Sequence, residues 1–173
     1  VELEEEYRRI EGRHQEVKEA VDRIMTQTIP AVQALSQRML PELRQRLEAV
    51  LAAFNAQAAT LADPATVNYD EAATTWLPSV RQQIEEIQRE YEDSVRHYRA
   101  RLQEVNKQLE RQAARLKRLD PRQQPRPEED ADRLLADLEA WRMEAAHKQD
   151  DPLALRELAG RRAEALAQRM KTI

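Results

Sequence analysis

The chain has 173 residues, 35% of them charged, with 32 acidic side chains against 28 basic ones and a net charge of −4. Interspersed signs at this balance supply no global field for nucleic acid or an anionic membrane, and the lack of cysteine excludes disulfides, thiolate metal sites and cysteine nucleophiles. Two glycines and 4% aromatic residues leave little for hairpin turns or a sheet, so the expected class is all-α, as one domain with at most a small appendage.

Charge is unevenly distributed. Val1 to Thr28 carries 13 charged residues and Arg81 to Leu119 carries 17, whereas Ile29 to Val80 carries only 8. Between Ala49 and Tyr69 the single charged residue is Asp63. A charged helical rod flanking a weakly charged helical middle is the layout of a stalk with a tip.

In chain order, Leu3, Tyr7, Ile10, His14, Val17, Val21, Ile24 and Thr28 follow an unbroken 4-3 spacing, the a/d seam of a coiled-coil-like helix. Pro30 lacks an amide donor and predicts a break or kink near Thr28, and Pro41 predicts another. A second seam runs Leu40, Leu43, Leu47, Val50, Phe54, Gln57 and Leu61 to a stop at Asp63-Pro64. Residues 63–70 read as a loop, and Glu71 to Trp76 as a short helix. Pro78 suits the first turn of the next helix, which is expected to run to Leu119. Its seam is Leu77, Val80, Ile84, Ile87, Tyr91, Val95, Tyr98, Leu102, Val105, Leu109, Gln112, Leu116 and Leu119. The two consecutive steps of four around Tyr91 form a stutter that locally unwinds a supercoil.

Asp120 to Pro127 carries three prolines and reads as an extended linker. Glu128, Glu129 and Asp130 then place negative charge at a helix N-terminus, and Ala131, Leu134, Leu138, Trp141 and Ala145 form its stripe. Asp151 reads as a cap with Pro152 in the first turn of a last helix, whose weaker face holds Leu155, Leu158, Leu166 and Met170. No internal repeat emerges. The expected architecture is an elongated antiparallel coiled-coil stalk over 1–119 with its tip at about 29–77. A Pro-rich linker at 120–127 and a C-terminal helical hairpin at 128–173 complete it.

Candidate chemistry is sparse. Two E-x-x-H matches, Glu11 with His14 and Glu144 with His147, have di-iron spacing, but Glu144 and His147 fall off their helix stripe, so no metal is expected. The basic run Arg111, Arg115, Lys117, Arg118, Arg122 and Arg126 lacks interleaved aromatics and suits a helix C-terminus, so nucleic acid is not the expected partner. No phosphate loop or nucleophile motif is present, so no catalytic residue, cofactor or enzyme activity is expected. The weakly charged tip, with Val50, Leu51, Phe54, Leu61, Trp76 and Leu77, is either a small closed core or a partner-binding surface. The chain is therefore expected to be a non-enzymatic scaffold or interaction module for a protein partner or for self-association. Membrane contact through the tip is the competing expectation, although the segment lacks the cationic face of an interfacial helix. No run approaches the ~18 apolar residues of a spanning helix. A cysteine-free chain fits the cytoplasm, the expected compartment, and also a periplasm. The start at Val1, with a heptad running by Leu3, also fits a segment of a larger protein.

Overall fold

The computed structural model describes residues 1–62, 67–119, 122 and 126–172. Among them every regular element is helical, and the fold is all-α. The chain forms two compact units, Val1–Tyr91 and Glu92–Ile173. The division falls inside the longest helix, at the stutter where the 4-3 seam slips.

The first unit contains α1 (Glu2–Arg23), α2 (Ile29–Gln33), α3 (Pro41–Thr60), α4 (Tyr69–Glu71) and the start of α5 (Leu77–Arg118). Glu2, Glu4 and Glu5 place negative charge at the N-terminus of α1. Met39, fully buried, plugs the turn between α2 and α3, and Arg44 Nε donates to the Ser36 carbonyl at 2.9 Å to pin it. The break expected at Pro41 is present: Met39 is extended, and Pro41 opens α3, in whose first turn its missing N–H costs nothing. Beyond the turn, α3 runs back along α1, so that Ala58 and Leu61 face Val17 and Val21. The segment leading into α5 starts beside the end of α3, with the Phe54 and Trp76 rings stacked at 5.4 Å. Further along, Arg46 pairs with Glu90. α3 is thus antiparallel to both α1 and α5, and these three helices enclose Ile24, Leu47, Phe54, Ile84 and Ile87.

Of the break or kink expected near Thr28, the helix shows no break but a π-helical distortion just ahead of Pro30. A π-helical turn, Ile24–Thr28, carries the chain from α1 into α2, and a second one, Ala72–Trp76, joins α4 to α5 ahead of Pro78. The wider turn moves the carbonyl that a proline ring would strike four residues upstream. Both turns carry the same local sequence: Asp22, Thr26, Pro30 and Val32 match Asp70, Thr74, Pro78 and Val80. In each, the threonine hydroxyl donates to the aspartate backbone carbonyl at 2.7 Å, a back-bond that favours helix bending. Five-residue steps then replace steps of four. Ile24 and Ile29 are both buried, as are Ala72 and Leu77, whereas Thr28, expected on the seam, is only half-buried.

Asn68 caps α4 by accepting from the Glu71 N–H at 3.1 Å. The expected loop at 63–70 lies partly outside the described residues (63–66), and Tyr69 and Asp70 are already helical.

The second unit contains the rest of α5, α6 (Pro127–Ala146) and α7 (Pro152–Thr172). Most of the expected linker, 120, 121 and 123–125, lies outside the described residues, and Pro127 opens α6. α6 runs antiparallel to α5, with Arg142 on Glu110 and Lys117 3.6 Å from Asp132. Asp151 caps α7 through the Ala154 N–H at 3.0 Å, as its sequence position predicts. Leu109, Ala113, Leu116, Ala131, Leu134 and Leu138 form the core of this unit, with Leu166 from α7.

Candidate functional site

Of the six tip residues singled out in the sequence, Leu51, Phe54 and Leu77 are buried in the first unit, and Phe54 is only 1% exposed. Val50, Leu61 and Trp76 are half-buried. The structure brings Phe54 and Trp76 together as a stacked pair and sets Leu61 and Trp76 in the wall of a cleft of about 210 Å³, beside Asn68 and Thr75. Leu61 also borders a second cleft of about 190 Å³, lined by His14, Val17, Lys18, Val21, Ala58 and Tyr69. Here the His14 and Tyr69 rings pack at 4.7 Å, and the buried Tyr69 hydroxyl finds no protein partner.

α1 extends past these clefts. Residues 1–12 are all exposed, although they carry the first half of the predicted seam: Leu3 is 86% exposed, Tyr7 64% and Ile10 47%. The helix gains burial only from Arg13 onward, where the body of the unit begins. Two arginines hold it there. Arg9 reaches Asp70 at 2.9 Å and Glu6 at 2.7 Å, and Arg13 reaches Asp70 at 3.2 Å. The hydrogen bond from Arg9, reinforced by its charge, holds the Glu6 carboxyl below the usual range, while the two carboxylates raise the Arg9 guanidinium above its own. Nothing in the sequence separates Leu3, Tyr7 and Ile10 from Val17 and Ile24, because one seam encodes both the covered and the bare stretch.

The metal candidates do not assemble. Glu11 accepts a long hydrogen bond from Tyr7 at 3.4 Å, and Glu144 lies 3.5 Å from Lys148 and 3.7 Å from Arg161. No group of three or more metal-ligating side chains gathers among the described residues. In the basic run, Lys117 pairs with Asp132 and Arg126 with Glu129 at 3.4 Å. Among the described residues, no helix is long and apolar enough to cross a membrane.

A third cleft, of about 330 Å³, opens between α5, α6 and α7. Its two arginines are already engaged, Arg99 with the Gln149 carbonyl and Asp150, and Arg142 with Glu110 and Glu139. Below it lies a group that sequence reasoning missed. Arg162 is 2% exposed and donates to Asn106 Oδ1 at 3.3 Å and to the Trp141 carbonyl, with its guanidinium 5.4 Å from the Trp141 ring. Its Nε has no partner, and burial pushes the guanidinium pKa down. The signal was its place: 162 continues the step of four from Leu158 to Leu166, on the apolar stripe of α7.

Compared with protein-family models, curated proteins and solved structures, the chain matches none. Geometry alone therefore defines the site. The bare seam of α1 and the clefts beside Leu61 offer apolar contact framed by paired charges.

Proposed function

We propose that this chain is a non-enzymatic helical interaction module, a scaffold element that docks a protein partner through a coiled-coil-type seam on the projecting end of α1. The observation that carries the reading is the exposure of Leu3, Tyr7 and Ile10 on a helix whose first twelve residues touch no core. A solvated helix of that length is marginal by itself in water, and Gly12 weakens it by about 1 kcal/mol relative to alanine. A partner helix would cover the seam by knobs-into-holes packing and stabilise the stretch that the body leaves alone. The tip residues Leu61 and Trp76, half-buried at the neighbouring clefts, extend the same contact area.

The experiment is site-specific photocrosslinking from position 7, in place of Tyr7, in an extract of the source cells. It is followed by binding of each purified crosslinked protein to the wild type and to an L3D/I10D variant. The reading expects at least one protein, another chain or this one, whose binding the variant loses while its melting curve is unchanged. Binding that survives the two substitutions, or no crosslinked protein at all, would remove it.

A further inference from the structure

His14, Val17, Lys18 and Val21 follow one another at steps of three and one to three, so all four share one face of α1. That face meets Ala58 and Leu61 at the end of α3 and Tyr69 at the start of α4, and the 190 Å³ cleft lies among them, wholly within the first unit. Val17, Val21, Ala58 and Leu61 give it apolar walls. Its polar groups are Lys18, His14 and Tyr69, each able to donate a hydrogen bond to a single acceptor. Lys18 is exposed and makes no ion pair among the described residues. Tyr69 is only 9% exposed, and its buried hydroxyl has no protein partner, a costly arrangement that native structures rarely leave unanswered. The His14 ring, 4.7 Å from that of Tyr69, packs against it. Asp70, the carboxylate next to Tyr69 in the chain, is engaged by Arg9 at 2.9 Å and by Arg13 at 3.2 Å, so its charge is already offset.

From this placement we infer that the cleft binds a small monocarboxylate with a compact apolar body, a branched short-chain acid or a single-ring aromatic acid. The carboxylate accepts from the Tyr69 hydroxyl and the Lys18 ammonium, and the hydrocarbon lies against Val17, Val21, Ala58 and Leu61. Size sets the class. A dry cavity of about 150 Å³ takes benzene, and 190 Å³ adds room for one carboxylate. Long-chain fatty acids and nucleotides exceed that volume. Charge sets it too, since one ammonium matches one carboxylate, whereas a phosphate dianion would exceed that charge and leave the apolar walls bare. The hydroxyl is itself covered, so the incoming oxygen reaches it through a rotamer change of a half-buried lining side chain such as Leu61 or Val21. None of the exposed seam residues takes part, and the site stands apart from the interaction-module reading.

Benzoate and isovalerate are the probes, titrated to about 20 mM against the whole chain with amide and methyl NMR as the readout. Both are expected to shift Val17, Val21, Ala58 and Leu61 with a Kd of about 0.1–3 mM, the range open to ligands of so few atoms. Benzyl alcohol, the same ring without the charge, is expected to bind about tenfold more weakly than benzoate. Y69F deletes the hydroxyl alone and is expected to weaken benzoate about tenfold. Without added acid its melting midpoint should hold or rise, because the deleted group had no partner. K18M is expected to weaken both acids about threefold and to remove most of the salt dependence. L3D/I10D should bind benzoate as the wild type does, which separates this site from the seam. No shift at the cleft residues by about 20 mM overturns the inference. So do shifts centred outside the cleft, affinity that Y69F leaves unchanged, or benzyl alcohol binding as tightly as benzoate, which would make the cleft a plain apolar crevice.

Discussion

Arg162 is a charge placed where an aliphatic side chain would ordinarily sit, and replacing it with methionine has a sign that can be worked out in advance. The guanidinium gains a long hydrogen bond to Asn106, one to the Trp141 carbonyl, and a cation–π contact at 5.4 Å of about 0.5–2 kcal/mol. Against this stand desolvation of a full charge, several kcal/mol, and an unpartnered Nε of about 1–3 kcal/mol. The opposing charge that acts on it, Glu144, already neighbours Lys148 and Arg161. Methionine keeps the unbranched stem and removes the charge, so R162M is expected to stabilise the second unit by about 1–2 kcal/mol. For a unit of this size the melting midpoint should rise by about 5–15 °C. The chain has one tryptophan in each unit, so a W76F background leaves Trp141 as the reporter of the second unit's thermal and urea unfolding. R162K should lower the midpoint, because an ammonium cannot span both acceptors and lie over the ring. An R162M midpoint that is unchanged or lower would refute the reasoning and make the buried guanidinium a net stabiliser.

The remaining predictions concern the first unit. F54A should cost about 3–5 kcal/mol and move the Trp76 fluorescence maximum, because it empties a buried site and unstacks the pair. Equal urea midpoints for F54A and wild type would contradict that burial. N68A removes the cap on the Glu71 N–H and should cost about 1 kcal/mol in the same assay. G12A should raise helicity at low protein concentration by about 1 kcal/mol of helix stability, since a methyl group there meets nothing within 4 Å. Glu6 should titrate below an ordinary glutamate in a carboxyl-detected NMR experiment. Its pairing with Arg9 is complete above the usual carboxylate range and is lost as pH falls through the lowered midpoint. R9A should return that midpoint upward, and an unmoved midpoint would dissociate Glu6 from Arg9.

The limits of a heptad pattern explain both the legible and the hidden parts of this fold. The seam of α5 was legible almost residue by residue, since Ile84, Ile87, Leu102, Leu109 and Leu116 are all buried and even Gln112 takes its place among them. The stutter at Tyr91 was equally legible, and the boundary between the two units falls there. The partner of α1 was not, because an a/d pattern states that a face will be covered without stating by what. Leu3, Tyr7 and Ile10 therefore read the same as Val17 and Ile24. At the tip, composition showed where charge was scarce, but not that the start of α5, with Leu77, would close over Leu51 and Phe54 and leave Leu61 and Trp76 half-buried. Arg162 was hidden because an arginine on an apolar stripe reads as a gap in the stripe. Pro30 was read as a break or kink near Thr28; the distortion lies there, but its form, the π turn at Ile24–Thr28, is not specified by a pattern of α-helical spacing.

The two π turns also make the chain's length locally adjustable. Each holds one residue more than an α turn needs to return to the same face, so Ile24 and Ile29, or Ala72 and Leu77, meet the core across a step of five. Deleting that extra residue and replacing the downstream proline with a residue that carries an N–H would restore a step of four and leave every later side chain facing the same way. A one-residue deletion anywhere else in these helices would turn the downstream seam about 100° away from its core. The matching Asp-Thr-Pro-Val segments thus mark two points where length can drift by one residue without refacing the rest of the helix.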